Sequence, residues 1–535
     1  MKDKVFKSIV LVIVTMLMVA GGVSASGSDE IPWGGPTSLP DYIGAPAKAH
    51  PTANSGVPQN PFAAPNGIAH SHSDIWMSDT TNFAGPLGRN PLTLSTTLPG
   101  MHNKSWLIPT GSFSFDSRGR LILNTYGVDE ASIVMVDPDT LEVLTRYPLE
   151  VVMGDPFGQG EQKMLQSLFS IYAALDDRDQ LHIVSGNKKI TILKITDKPS
   201  GPEFKEGDSY DLEELTKPTD KLPQGDGISG AIMDFQGRYW INMRNSANIY
   251  LLNPATFKDI GDLKSVNLGD GEFTRNGMAL TREGAAYIVT TEAMYRVDAG
   301  ADDQPRIVWR QEYDTIGIVR SGQYELGSGT TPTILGEGKY VAITDNAEQM
   351  NVVVYRTELQ KDPNDQVVCN MPVFDFPGGG QGAQSNSLVG LRNSIIVQNT
   401  FGYLFDFPDI HSDPPDLTAE LVQGGAPGLE RIDIDPNGKG CTKVWVNTEV
   451  ASTNTPKLST RTGLIYVQSR KWDAEKNLNA YYWTAVDFYT GKVVWEKLVG
   501  TGDMFDNFWA AAGPGPNGAL YGTVYGGLTM LKDTP

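Results

Sequence analysis

Five consecutive residues, His70-Ser71-His72-Ser73-Asp74, contain two of the six histidines in the chain. On an extended strand, side chains two positions apart share a face, so His70, His72 and Asp74 would project together. Two imidazoles and a carboxylate form a donor set for Zn²⁺, Cu²⁺ or Fe²⁺ with room for water or substrate. The competing reading is a surface or capping role for a short HxH string in a loop. No G-x-S-x-G elbow, P-loop or HExxH occurs, so no catalytic residue can be named. GSGTTPT (Gly327 to Thr333) has the glycines and hydroxyls of a tight turn, without the helix that a phosphate loop needs.

The elements that must position such residues repeat along the chain. From about residue 105, a short apolar strand, a turn and a second β-branched strand recur, as in FSFDSRGRLILNTY, AIMDFQGRYWINM and PTILGEGKYVAITD. The turn residues are Gly119, Asp179, Gly237, Gly284, Gly338, Asn393, Gly463 and Gly518, types that tolerate positive φ. Their mean spacing of about 57 residues is that of a β-propeller. The reading is all-β with eight blades, and seven blades as the alternative. The last repeat ends after three strands, so a strand within PLTLSTTLP (Pro91 to Pro99) is expected to complete it from the N-terminal side and remove an open edge.

In a propeller, residues just before each innermost strand converge at one mouth of the central channel. Here they are Gln166 and Ser167, Asp226 and Ser229, Arg275 and Asn276, Thr330 and Thr331, Ser385 and Asn386, Lys457, and Asn507 with Trp509. Hard oxygen donors and two cations could hold Ca²⁺ or an anionic ligand. Alternatively they satisfy one another and ordered water. Trp509 could floor a flat ligand or pack between blades.

The chain divides into a signal peptide (1–25), a Pro/Gly-rich lead-in (26–80) and the propeller (81–535). Lys2, Lys4 and Lys7 precede an apolar run from Ile9 to Ala20, and Val23-Ser24-Ala25 offers a cleavage site. That run is short for a membrane span, and no later stretch is long and apolar enough. A periplasmic or secreted monomer without a membrane anchor after cleavage is expected. The net charge of −20 disfavours nucleic acid and anionic membranes as partners, leaving a small-molecule ligand or substrate. Cys369 and Cys441 are the only cysteines, and export would permit a disulfide without showing that they are close. No CxxCH is present for covalent haem, and haem is not expected.

Residues 485–495, AVDFYTGKVVW, match the A-x-D-x-x-T-G-x-x-x-W docking motif of quinoprotein (PQQ-dependent) alcohol dehydrogenases, and VDPDTLEVL (136–144) is a degenerate copy. The chain therefore resembles that eight-bladed superfamily, whose motif welds blades together. The resemblance implies a channel able to hold PQQ on Ca²⁺, with Trp509, Lys457 and Asn386 as cofactor-binding candidates. The family's adjacent-Cys disulfide is absent, which makes PQQ the less favoured cofactor. RNGMALTREGAAYIV (275–289) and DGISGAIMDFQGRYWI (226–241) resemble gluconolactonase/regucalcin-type lactonases. That resemblance makes Asn276, and more loosely Asp226, candidate ligands for a divalent cation, Ca²⁺ or Zn²⁺. Three roles follow: metal-assisted hydrolysis of a lactone or ester, PQQ-dependent dehydrogenation, or noncatalytic binding of a ligand or protein.

Overall fold

The computed structural model describes residues 30–98, 112–126, 131–149, 153–154, 164–165, 173–184, 188–212, 226–274, 276–323, 326–377, 382–402, 425–452 and 454–535. The expected signal peptide, Gln166, Ser167 and Arg275 lie outside them. The described chain is an all-β propeller of eight blades. Blade 1 comprises Phe113–Phe115, Leu121–Tyr126, Ala131–Val136 and Val143–Leu149, each antiparallel to the next. Blades 2 to 7 repeat that meander, beginning with the inner strands Ala174–Leu175, Ile228–Met233, Ala279–Leu280, Thr333–Leu335, Val389–Leu391 and Lys457–Ser459. Blade 8 has Ala512–Pro514, Leu520–Val524 and Gly527–Lys532, completed by Leu92–Thr96 against the last of these. The N-terminal closure is the one expected from the missing fourth strand.

Each blade is flanked by two others, so its middle strands are covered on both faces. Tyr239–Met243 and Ala285–Val289 are buried throughout, and they are correspondingly rich in apolar residues. The outer strand Val143–Leu149 borders solvent and is mostly exposed or half-buried. Seven of the eight turn residues have φ between 57° and 92°, the left-handed region. In blade 6 the positive φ falls on Arg392 (55°) instead of Asn393. The Arg392 guanidinium is held there by the Asn54 carbonyl at 2.9 Å.

The docking motif forms the turn its residues imply. Asp487 Oδ1 accepts from the amides of Tyr489 and Thr490 and from Thr490 Oγ1, at 3.1, 2.8 and 2.8 Å. Asp137 makes the same bonds to Asp139 and Thr140 in the degenerate copy. Trp445 of blade 6 packs on Gly491, and its Nε1 donates to Phe488 O at 2.9 Å. A Cβ at Gly491 would lie 2.4 Å from that indole, so the close approach requires glycine. Trp495 is fully buried, close against Gly88 of the N-terminal segment and in one apolar cluster with Ala512, Leu520 and Leu531 of blade 8.

Cys369 and Cys441 form a disulfide between the outer strands Val367–Pro372 of blade 5 and Cys441–Asn447 of blade 6, with Cα atoms 5.9 Å apart. It closes a separation of 72 residues, which on the chain-entropy model contributes about 4 kcal/mol.

Candidate functional site

The Pro/Gly-rich N-terminal segment is built into the propeller. Tyr42–Gly44 adds to the outer edge of blade 7, and Thr80–Thr81 adds to its inner edge. Between these strands the chain enters the channel. Inner strands present unpaired N–H groups to the channel, and a buried donor needs an acceptor. The segment supplies carbonyls in order around the ring: Ala69 to Leu175 N (2.7 Å), Ile75 to Leu280 N (3.0 Å), Trp76 to Ile334 N (3.0 Å), Ser78 to Gly390 N (2.8 Å) and Asp79 to Leu458 N (3.0 Å). Ser73, Met77 and Asp79 have φ of 72°, 55° and 51°. Strain of this kind persists only where surrounding contacts over-determine the backbone. The channel is thus threaded by its own polar peptide.

Four side chains meet inside it. Lys457 Nζ, from blade 7, bonds both Asp79 Oδ1 and the Ser71 carbonyl. His72 Nδ1 lies 3.1 Å from Asp79 Oδ2 and 2.8 Å from Ser387 Oγ of blade 6, and Ser387 also donates to Asp79. Burial alone would raise the Asp79 carboxyl, but the Lys457 ammonium and His72 outweigh it and hold it below the usual range. This constellation neutralises a buried carboxylate and pins the segment.

The expected HxHxD face does not form. Residues 70–74 are turns, not a strand, so spacing of two no longer places side chains together. Asp74 folds back on its own segment, accepting from Ser78 Oγ (2.5 Å), Trp76 N (3.0 Å) and Ser78 N (3.3 Å). Burial pushes its carboxyl up to about 7 despite those bonds. His70 and His72 have ring centroids 6.3 Å apart in an edge arrangement. His70 Nδ1 accepts from His72 N at 3.1 Å, so the proton of the neutral ring sits on Nε2. Burial, with His72 and Lys457 nearby, lowers its pKa to about 3.

The residues preceding the inner strands gather at the opposite end of those strands from the hairpin turns. Asn276 links three blades: its Nδ2 donates to Gly329 O at 2.7 Å, and its carbonyl accepts from Asn242 at 2.9 Å. Asp226 braces a loop, accepting from Gly227 N and Asn245 N at 2.8 and 2.7 Å. Ser229 Oγ donates to Thr274 O, Thr330 Oγ1 meets Ser328 Oγ, and Asn507 Nδ2 donates to Thr523 O. Trp509 is half-buried on the loop before the inner strand of blade 8, its ring 5.4 Å from Phe508. Blade 6 differs. Gln384, Ser385 and Asn386 are 0%, 4% and 7% exposed, yet Gln384 Nε2, Ser385 Oγ and Asn386 Nδ2 have no hydrogen-bond partner. Gln398 Nε2, on the next strand of that blade, is also unpartnered.

Neither implied cofactor fits this donor set. Among the described residues no group of three or more His, Cys, Asp or Glu side chains is placed to hold a metal ion. Asp226 braces a loop of blade 3 and Asn276 a joint between blades, while His70, His72 and Asp74 face different partners. For a quinone, Lys457 is already bonded to Asp79 and Ser71, and Asn386 and Trp509 stand on blades 6 and 8. Sequence reasoning missed Asp79, Ser387 and Gln384.

No protein-family model matches the chain. It is 28% identical over 274 residues to an uncharacterised protein of Archaeoglobus fulgidus, covering 49% of this chain and 52% of that one. The chain thus spans about half the length of the curated relative it matches. Among solved structures it is similar to a streptogramin B lyase, at 11% identity and TM-score 0.38 over 86% of this chain and 99% of that one. Virginiamycin B lyase from Staphylococcus aureus matches at 10% identity and TM-score 0.39, over 83% and 99%. BamB from Moraxella catarrhalis matches at 11% identity and TM-score 0.40, over 83% and 98%. These likenesses concern a propeller and do not single out the quinoprotein alcohol dehydrogenases.

Proposed function

We propose that the protein is an exported ligand-binding propeller that takes a small, neutral, polar molecule at the channel mouth beside blade 6. The observation carrying this reading is the run Gln384-Ser385-Asn386, three buried side chains each with an unpartnered polar atom. A buried polar group without a partner costs about 1–3 kcal/mol, so a ligand supplying acceptors there recovers that cost. The groups are amides and a hydroxyl. Of the buried cations nearby, Lys457 is neutralised by Asp79, and the Arg320 guanidinium is occupied by the carbonyls of Gly382, Ala347 and Glu348. The Cys369–Cys441 disulfide supports export, since such bonds persist in oxidising compartments.

Metal-assisted hydrolysis needs an ion-holding set, and quinone chemistry needs a free cation at the cofactor. A binding role needs neither, and it is preferred. The test is a thermal-shift screen of the mature chain against neutral polar metabolites, repeated on Asn386→Leu. Hits that stabilise the wild type and lose their effect in the variant support the reading. Hits indifferent to Asn386→Leu and to Gln384→Leu overturn it.

A further inference from the structure

At the other end of the channel, the turns of blades 4 and 5 enclose a groove of about 530 Å³. That size lies within the range of small-molecule sites. Its inner wall includes Trp76, the channel segment's indole, and its rim carries Arg282, Glu283, Glu337, Lys339 and Tyr340. Trp76 is 5% exposed, and its Nε1 has no hydrogen-bond partner. An indole N–H is a donor only, so it requires an acceptor that the protein does not provide. The benzo corner of the ring borders the groove, one bond from the carbon that carries Nε1: a Cβ at Gly338 would stand 3.6 Å from Trp76 Cζ2 and 3.9 Å from Cη2.

The rim is balanced in charge. Glu337 stands 3.8 Å from Lys339 and 3.4 Å from Arg392, while Arg282 and Glu283 sit exposed side by side on the blade 4 turn without an ion pair among the described residues. Such a rim exerts no net pull on an ion, because opposite charges a few ångströms apart cancel at longer range. It does offer donors and acceptors in alternation. The ligand groups that use both are hydroxyls, each able to donate and accept.

We infer that this groove is a second binding site, for a neutral sugar of one or two rings. A ring hydroxyl accepts from Trp76 Nε1–H, and neighbouring hydroxyls accept from Arg282 and donate to Glu283. The site faces the hairpin turns, away from the blade 6 mouth, and stands independently of the function proposed above.

The mature chain is labelled with ¹⁵N at its tryptophan indoles, and the Trp76 resonance is identified by its loss in Trp76→Phe. It is titrated with glucose, galactose and maltose, and separately with glucuronate, glucosamine and glycylglycine. The expected result is a saturable Trp76 shift with a neutral sugar, weakened about tenfold or more in Arg282→Ala and in Glu283→Gln, a loss of one charge-assisted bond each. If Trp76→Phe does not fold, calorimetry on the wild type and the two exposed-turn variants gives the same comparison. No saturation by any neutral sugar at about 50 mM, affinities unchanged in both turn variants, or stronger binding of glycylglycine or a charged sugar overturns the inference.

Discussion

Lys457, at the start of the innermost strand of blade 7, bonds Asp79, which lies 378 residues earlier and only 5% of the lysine side chain and none of the aspartate is exposed. The pair joins a repeated scaffold to the non-repeating segment that occupies its hub. Removing one partner of a buried pair leaves the other charge unsatisfied, at a cost of about 3–5 kcal/mol. Lys457→Met should lower the unfolding free energy by that amount, and adding Asp79→Asn should restore at least half of the loss. Urea denaturation of the two single variants and the double variant measures this directly.

Asp74 gives the channel segment a pH dependence of known sign. Burial pushes its carboxyl up to about 7 in the folded chain, from the 3.8 of a solvated aspartate. The folded state therefore holds an extra proton between these values. The stability this contributes is complete below about pH 4 and is lost as pH rises through 7. Asparagine fits the same contacts, since its oxygen can accept the Trp76 and Ser78 amides while its nitrogen donates to Ser78 Oγ. Between pH 5 and pH 8 the wild type should lose about 2–4 kcal/mol more stability than Asp74→Asn. Denaturant midpoints at the two pH values test it, and parallel behaviour of the two proteins would refute it.

The disulfide ties the rims of blades 5 and 6 on either side of the proposed mouth loop. Cys369→Ser/Cys441→Ser should lower stability by about 2–4 kcal/mol, and reductant should have that effect on the wild type alone. Thermal melts with and without reductant, with mass analysis of alkylated protein, separate these outcomes.

The blade count and closure were legible because they rest on local demands. A hairpin needs a residue that accepts positive φ, which marks Gly119, Gly237 or Gly518, and an incomplete last blade needs a strand to cover its edge, which Leu92–Thr96 supplies. Blade 6 shows the limit of that logic, since Arg392 takes the positive φ beside the expected Asn393 through a tertiary bond. His70, His72 and Asp74 were legible as unusual but not as placed. Their conformation follows from carbonyls reaching inner-strand amides, which the HxHxD spacing does not encode. Ser385 and Asn386 were legible as channel-mouth residues, whereas Gln384 looks like an ordinary loop residue in sequence; the burial of all three without partners exists only in the assembled ring.

The most direct measurement is the crystal structure of the mature protein with a neutral polar hit from the thermal-shift screen. The account requires ligand density within hydrogen-bond distance of Asn386 Nδ2 and Gln384 Nε2, above an intact Lys457–Asp79 pair. Density at another location, with both amides still unpartnered or turned to water, would contradict it.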